Sequence, residues 1–285
     1  MTVLTIARLT LLESVRRRIV LVLGLLTLVS VVLTSVGVER LVTLARANGT
    51  NDLAIQIGVS QILILVAFMF SFVLAMTAAF LGAPAIAADL DSGVLAAVLA
   101  RPIRRGEVVL GRWLGLAIVV AGYTAASGLL EIATVDAISG SAPPHPFLAV
   151  AFLAAQAVIL LTLALAIGTR LAAIASGAVC VVGFGLGWMA GVFAGIGAIF
   201  DVGPLVTAAE ASRWILPSDG LWRGTIWALE PTILAQAAED RVGPTAAANP
   251  FFANTPPPVA FDLWAAAWVA VVLALAVWSL NRRDI

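Results

Sequence analysis

The sequence predicts an all-α polytopic membrane protein with six transmembrane helices, on three observations. Hydrophobic residues make up 62% of the chain and charged residues only 11%, a balance foreign to a soluble globular domain. Six apolar runs are each long enough for a helix to cross the hydrocarbon core of a bilayer, which takes about 20 residues. Arginines also gather at alternate boundaries between those runs, the charge asymmetry that sets orientation in membranes.

Residues 1–18 carry Val3, Leu4, Ile6, Leu9, Leu12 and Val15 among Arg8, Glu13 and Arg16-Arg17-Arg18. That pattern suits an interfacial helix on the membrane surface; an extension of the first span suits it equally. The first span is read at 19–38, too long for a signal peptide and without a small-residue cleavage site behind it. The second, 57–88, exceeds what a bilayer needs, so it should tilt or project, with Pro84 as a kink. The third, fourth, fifth and sixth spans are read at 108–135, 147–167, 171–200 and 263–280, all within a single transmembrane domain covering 1–285.

Six spans place both ends on one side. With that side inward, Arg8, Arg16, Arg17, Arg18, Arg101, Arg104, Arg105, Arg112, Arg170, Arg282 and Arg283 are cytoplasmic, while the short outer segments carry only Arg40 and Arg46. Residues 201–262 then form an extracytoplasmic region. In it Trp214, Trp222 and Trp227 stand among arginines and acids, as in short helices lying at the outer surface or dipping into it. Such a region could be a lid over an exit or a structural cap. On the fifth span, Gly183, Gly187, Gly191 and Gly195 share one helix face and should let another helix approach closely, within the subunit or across a dimer interface.

The longest polar interruption on the cytoplasmic side runs from Asp89 to Gly115. Asp89, Asp91 and Ser92 supply oxygens that could cap a helix beginning near Gly93, and Val94, Leu95, Val98 and Leu99 give it one apolar face. Arg101-Pro102 should end it, because the residue before proline is pushed out of the helical region. A second helix can begin around Arg105 to Glu107. The expectation is a short amphipathic coupling helix, a basic elbow and a span, at the one place where a soluble partner could work on the protein from inside.

Other chemistry is sparse. Equal numbers of acidic and basic residues leave no positive field for a nucleic acid. One cysteine, Cys180, and one histidine, His145, argue against a metal site. No segment matches the phosphate-cradling G-x-x-x-x-G-K-[ST] pattern, so the chain should not hydrolyse ATP itself. The centres of the spans lack ionisable groups, which counts against an ion-coupled carrier, and Glu131 and Asp136 are expected near the outer interface. Gln61, Gln156, Thr124 and Thr162 are expected to join helices.

The stretch 91–115 resembles the cytoplasmic signature of the ABC-2 family of ABC transporter permeases, through Asp91, Ser92, Gly93, Leu95, Leu99, Arg101, Pro102, Arg105, Glu107, Gly111 and Arg112. It departs mildly, with Asp91 for the usual glutamate, Val94 for threonine and Arg112 for lysine. The resemblance extends to the six spans, the basic N-terminal helix, the large segment before the last span and the terminal Arg-Arg-Asp-Ile. It implies a permease subunit of the bacterial cytoplasmic (inner) membrane, with no catalytic residues, metal or cofactor of its own. A separate ATP-binding subunit, holding ATP and Mg, would dock on residues 89–105, including Arg104, and a second permease chain, identical or different, would complete the assembly. Such a complex would export a hydrophobic or amphipathic substrate. The competing reading is a membrane-embedded enzyme or assembly factor of cell-envelope chemistry, with Glu131, Asp136 and His145 as its acid-base candidates.

Overall fold

A computed structural model describes residues 3–16, 18–93, 103–232 and 249–283. Among these residues the chain is helical throughout, with no strand. In chain order the helices are α1 (Val3–Arg16), α2 (Arg18–Ala47), α3 (Asp52–Gly82), α4 (Pro84–Asp91), α5 (Arg105–Ser139), α6 (Pro146–Gly168), α7 (Ala173–Ile199), α8 (Gly203–Ile215), α9 (Ser218–Leu229) and α10 (Val259–Asn281). Six of these segments are long and apolar enough to cross a membrane: α2, α3 continued by α4, α5, α6, α7 and α10.

Local chemistry explains the boundaries. The first span was expected to end at residue 38, but α2 runs on to Ala47 through Glu39, Arg40 and Arg46. Nothing in that stretch breaks a helix until Asn48 and Gly49, and Gly49 adopts the left-handed conformation (φ 69°) at the turn. Asn51 then caps α3, its side-chain oxygen accepting from the Ala54 amide at 2.8 Å. The kink expected at Pro84 is a helix break, with α3 ending at Gly82 and Pro84 taking the first position of α4. There its missing N–H costs nothing. Gly140, left-handed at φ 68°, terminates α5, and Pro146 opens α6.

The bundle is assembled around α6, which packs against α3, α5, α7, α9 and α10. Ala157, Ile159, Leu160, Leu161, Ala164 and Leu165 are all buried at its centre. Polar side chains clasp the neighbours. Ser71 on α3 donates to Gln156 Oε1 at 2.8 Å, and Gln156 Nε2 donates to the Ser218 carbonyl of α9 at 3.2 Å. Trp113 Nε1 on α5 donates to Thr162 Oγ1 at 2.8 Å. In a low-dielectric interior such groups need partners from the chain itself. The helix α2 lies at the periphery, tied to α5 by the Thr27 and Tyr123 hydroxyls 2.9 Å apart.

The short helix α1 lies along the base of α5. The contact depends on Gly111 and Gly115, one turn apart on α5. A Cβ at Gly111 would come within 2.6 Å of Ile6 Cβ, and one at Gly115 within 2.6 Å of the Ala7 carbonyl oxygen. This small-x-x-x-small pair holds α1 backbone to backbone against α5. Gly115→Leu is therefore expected to expel α1, overpacking of this kind costing about 1–3 kcal/mol. Hydrogen exchange in detergent should show amides 3–16 losing their protection while those of α6 keep theirs; unchanged protection of α1 would refute the seam.

Candidate functional site

The polar features of the molecule collect at its two ends. One, here termed the terminal face, carries α1, the end of α4, the start of α5, the α6–α7 turn and the end of α10. The other, the far face, carries the α8–α9 hairpin.

At the terminal face the Asp89 carboxylate of α4 is ion-paired with the Arg112 guanidinium of α5, both partly buried. Arg112 also donates to the Ala85 carbonyl at 2.7 Å, stapling α4 to α5. Asp89, Asp91 and Ser92 stand at the end of a helix, and the helix expected to begin near Gly93 lies outside the described residues. Ser92 is the C-cap of α4, with Oγ donating to the Ala88 carbonyl at 2.7 Å, and Gly93 follows in the left-handed conformation (φ 72°). Ala85–Asp91 continues helical without a breaker, and of the side-chain oxygens of Asp89, Asp91 and Ser92 only the Ser92 hydroxyl donates to a carbonyl at the helix end, while the Asp89 carboxylate pairs with Arg112. Asp91, Ser92 and Gly93 are exposed. Leu95, Leu99, Arg101, Pro102 and the amphipathic helix expected near them lie outside the described residues.

The chain resumes at Ile103. Arg104 is exposed and forms the N-cap of α5, its amide donating to Glu107 Oε2 at 3.4 Å in a capping box. Arg105 turns inward. Its guanidinium donates to the carbonyls of Leu280 at 2.7 Å and Arg283 at 2.6 Å, at the end of α10. Arg283 in turn donates to the Thr169 carbonyl at 2.8 Å, and Arg170 Nε donates to Ser279 Oγ at 2.7 Å. These charge-assisted bonds join α5, the α6–α7 turn and α10, and the Asp89–Arg112 staple adds α4, to make one platform.

At the far face α9 was expected on the membrane surface, yet Ser218 to Trp222 and Gly224 to Ile226 are buried. Its small residues Gly220, Gly224 and Ala228 let it enter the bundle, and its charges are met inside the hairpin. Asp219, 4% exposed, accepts from Arg213 Nε at 2.7 Å and lies 3.6 Å from Arg223 Nε. Arg223 also donates to the Gly191 carbonyl of α7 at 3.3 Å. The glycine face of α7 is where this hairpin sits: a Cβ at Gly191 would fall 2.7 Å from Asp219 Cγ, one at Gly187 would lie 3.2 Å from Ser218 Oγ, and one at Gly183 would touch Leu216. Gly195 is buried on the same face.

The three acid-base candidates are not brought to one place. Glu131 is buried in the wall between α5 and its neighbours, Asp136 is exposed, and the His145 ring stacks on Trp227 with centroids 4.7 Å apart. Among the described residues no group of His, Cys, Asp and Glu could hold a metal ion. Sequence reasoning missed three features: the Gly111/Gly115 seam, the buried Asp219 cluster and the inward turn of Arg105. Only the first carries a readable signal, a G-x-x-x-G spacing beside an amphipathic segment.

A bundle of six membrane-length helices, with a cross-braced polar platform at one end and a buried hairpin at the other, defines a polytopic helical membrane protein. The chain belongs to the ABC-2 family of transporter proteins, whose family model matches residues 4–285. None of the curated proteins compared with the chain matches it. Family membership makes it the membrane-spanning permease of an ABC transporter, a transport subunit and not itself the catalytic one.

Two predictions follow from the far face. Gly191→Ala should displace Asp219 and strand its buried charge partners at a cost of about 1–3 kcal/mol, lowering the thermal midpoint in detergent, whereas Gly185→Ala, with nothing within 4 Å, should not. Glu230, at the end of α9, is held by one bond from the Ala253 amide at 3.2 Å, and burial pushes its carboxyl up from 4.5 to about 7 against that bond. The folded state therefore holds a proton that the unfolded state has released, so this group lowers stability as pH rises from 4.5 to about 7 and has no further effect outside that window. Comparing midpoints at pH 5 and pH 8, Glu230→Gln should shrink the loss seen in wild type; an identical loss in both would refute this.

Proposed function

We propose that this permease works in an ATP-driven exporter of a hydrophobic or amphipathic substrate, energised by a separate ATP-binding subunit that docks on residues 89–105. A second permease chain, identical or different, completes the membrane part, and ATP and Mg are held by the ATP-binding partner. The terminal face is cytoplasmic, facing the interior of a bacterial cell, as the arginine distribution favours.

The observation that carries this reading is the bracing on either side of the elbow. On one side Asp91, Ser92 and Gly93 are exposed beyond the Asp89–Arg112 staple; on the other, exposed Arg104 precedes Arg105, which grips the end of α10. A push on the elbow reaches α3 through α4, α5 through its N-terminus and α10 through Arg105. A soft loop would absorb such a push; a loop anchored at both ends to different spans passes it on. The chain's own residues thus supply the lever, and the spans respond by changing access from the inner to the outer side.

Arg104 and Arg105 serve different ends in this scheme. Arg104 faces outward and is available to a partner, while Arg105 holds the subunit's own base together. The experiment is a mild-detergent pull-down of the tagged chain from its native membranes, with mass spectrometry of what accompanies it. A near-stoichiometric ATP-binding subunit is expected. The pair Asp91→Lys and Arg104→Glu should weaken that association at least about tenfold, or about 1.4 kcal/mol, with membrane insertion unchanged because the other arginines of that face still set topology. A wild-type chain that comes down without any ATPase would overturn the proposal, and unaltered association in the variant would remove the docking role of the elbow.

A further inference from the structure

Three cavities adjoin one another along one side of the bundle. A groove between α2 and α3 opens on the lipid-facing surface, where Leu33 and Met69 are 68% and 59% exposed. It shares Thr27, Ser30, Val66 and Phe70 with an inner chamber enclosed by α2, α3, α5 and α6. That chamber shares Leu63 and Leu229 with a mouth on the far face, bordered by Ser141 to Pro144 and by Pro231. The three cavities thus form a row from the outer side of α2 and α3 to the far face, with the buried side chains of Leu63 and Leu229 standing between the chamber and the mouth, and among the described residues one carboxyl side chain lines the row.

That side chain is Glu131. It is 8% exposed and lines the chamber. The Ser30 and Thr34 hydroxyls of α2 approach its carboxyl group, while Oε1 has no hydrogen-bond partner among the described residues. A buried carboxyl oxygen without a donor is costly, and an ionisable group inside a span is retained where it meets a ligand or a partner charge. None of the cationic side chains among the described residues lines any of the three cavities. A ligand that brings its own donor fits this oxygen. The chamber is narrow, about 40 Å³, enough for a small head group of roughly water size. The groove beside it, about 360 Å³ and lined mostly by apolar side chains, has room for a hydrocarbon body.

We propose that this chamber binds the protonated amine of a membrane-dissolved amphiphile, with the ammonium group at Glu131, flanked by Ser30 and Thr27, and the apolar body in the α2–α3 groove. The ligand reaches the site sideways from the bilayer and leaves through the mouth between α3 and the loop before α6. Ser60, whose Oγ is likewise without a partner, lines that mouth and offers the amine its next polar contact. This inference rests on the exporter reading above and gives its substrate a chemical class.

The test uses the chain with its associated ATP-binding subunit in phosphatidylcholine nanodiscs. The probe is a dansyl-labelled dodecyl primary amine, compared with the same chain ending in a methyl ether, and binding is corrected for empty discs. Wild type should bind one amine per chain saturably, and the ether should bind at least about tenfold more weakly, since it brings neither charge nor donor, a difference of about 1.4 kcal/mol. Glu131→Gln should show the same tenfold loss. Ser30→Leu, which fills the chamber wall from peripheral α2 and leaves the Glu131 helix intact, should also lose the site. Adding phosphatidylethanolamine separates two sources of the same chemistry: competition assigns the site to an amine-bearing lipid, and none assigns it to a dissolved amine. Equal binding of amine and ether, or full binding by Glu131→Gln, overturns the proposal. So does efficient disulfide crosslinking of Leu33→Cys between copies, which would make the groove an interface with a second chain. Retained ATP-binding subunit without amine binding sinks this inference alone; absence of that subunit sinks the exporter reading.

Discussion

Helix ends at the edge of a bilayer leave carbonyl groups that neither water nor lipid fully satisfies, and the arginines of the terminal face meet them. Arg105, Arg112, Arg170 and Arg283 each donate to a backbone carbonyl of another segment. A guanidinium suits this task because it presents several donors in a planar fork and stays charged. The same residues that carry the charge asymmetry read from the sequence also lock segments together at one end.

The far face solves the opposite problem. There a polar hairpin is taken into the bundle, and burial is tolerated only because Asp219 brings Arg213 and Arg223 with it and because α7 offers a face without side chains. Removing one member of such a set leaves an uncompensated charge, which costs more than the intact set contributes. The glycine face and the ion cluster are thus a single device, a slot and the group that fills it. Glu131 lies outside that set and lines a cavity, with one carboxyl oxygen unmet among the described residues.

Much of the architecture was legible because membrane helices announce themselves by length and hydrophobicity, signals that need no partner to interpret. The six spans belong to this class, and the kink expected at Pro84 falls where α3 gives way to α4. The boundaries that shifted did so where polar residues are still good helix formers, as with Glu39 and Arg40. Asp89 to Gly93 read as a helix start from their capping oxygens; the continuation of Ala85–Asp91 as α4 shows that they stand at the end of one, with the Ser92 hydroxyl donating to the Ala88 carbonyl.

By itself the sequence determined that the protein crosses a membrane six times, which segments do so, where its basic residues gather and that it matches the ABC-2 pattern in the elbow. These follow from composition and local spacing, properties of each segment alone. The tertiary structure decided which polar groups are spent inside the fold and which remain free: that Arg105 grips α10 while Arg104 faces out, that Asp219 is neutralised in a glycine slot, and that Glu131 faces a cavity. Partnership between residues a hundred or more positions apart is set by how the helices pack, and a residue's own neighbours in the chain carry no trace of it.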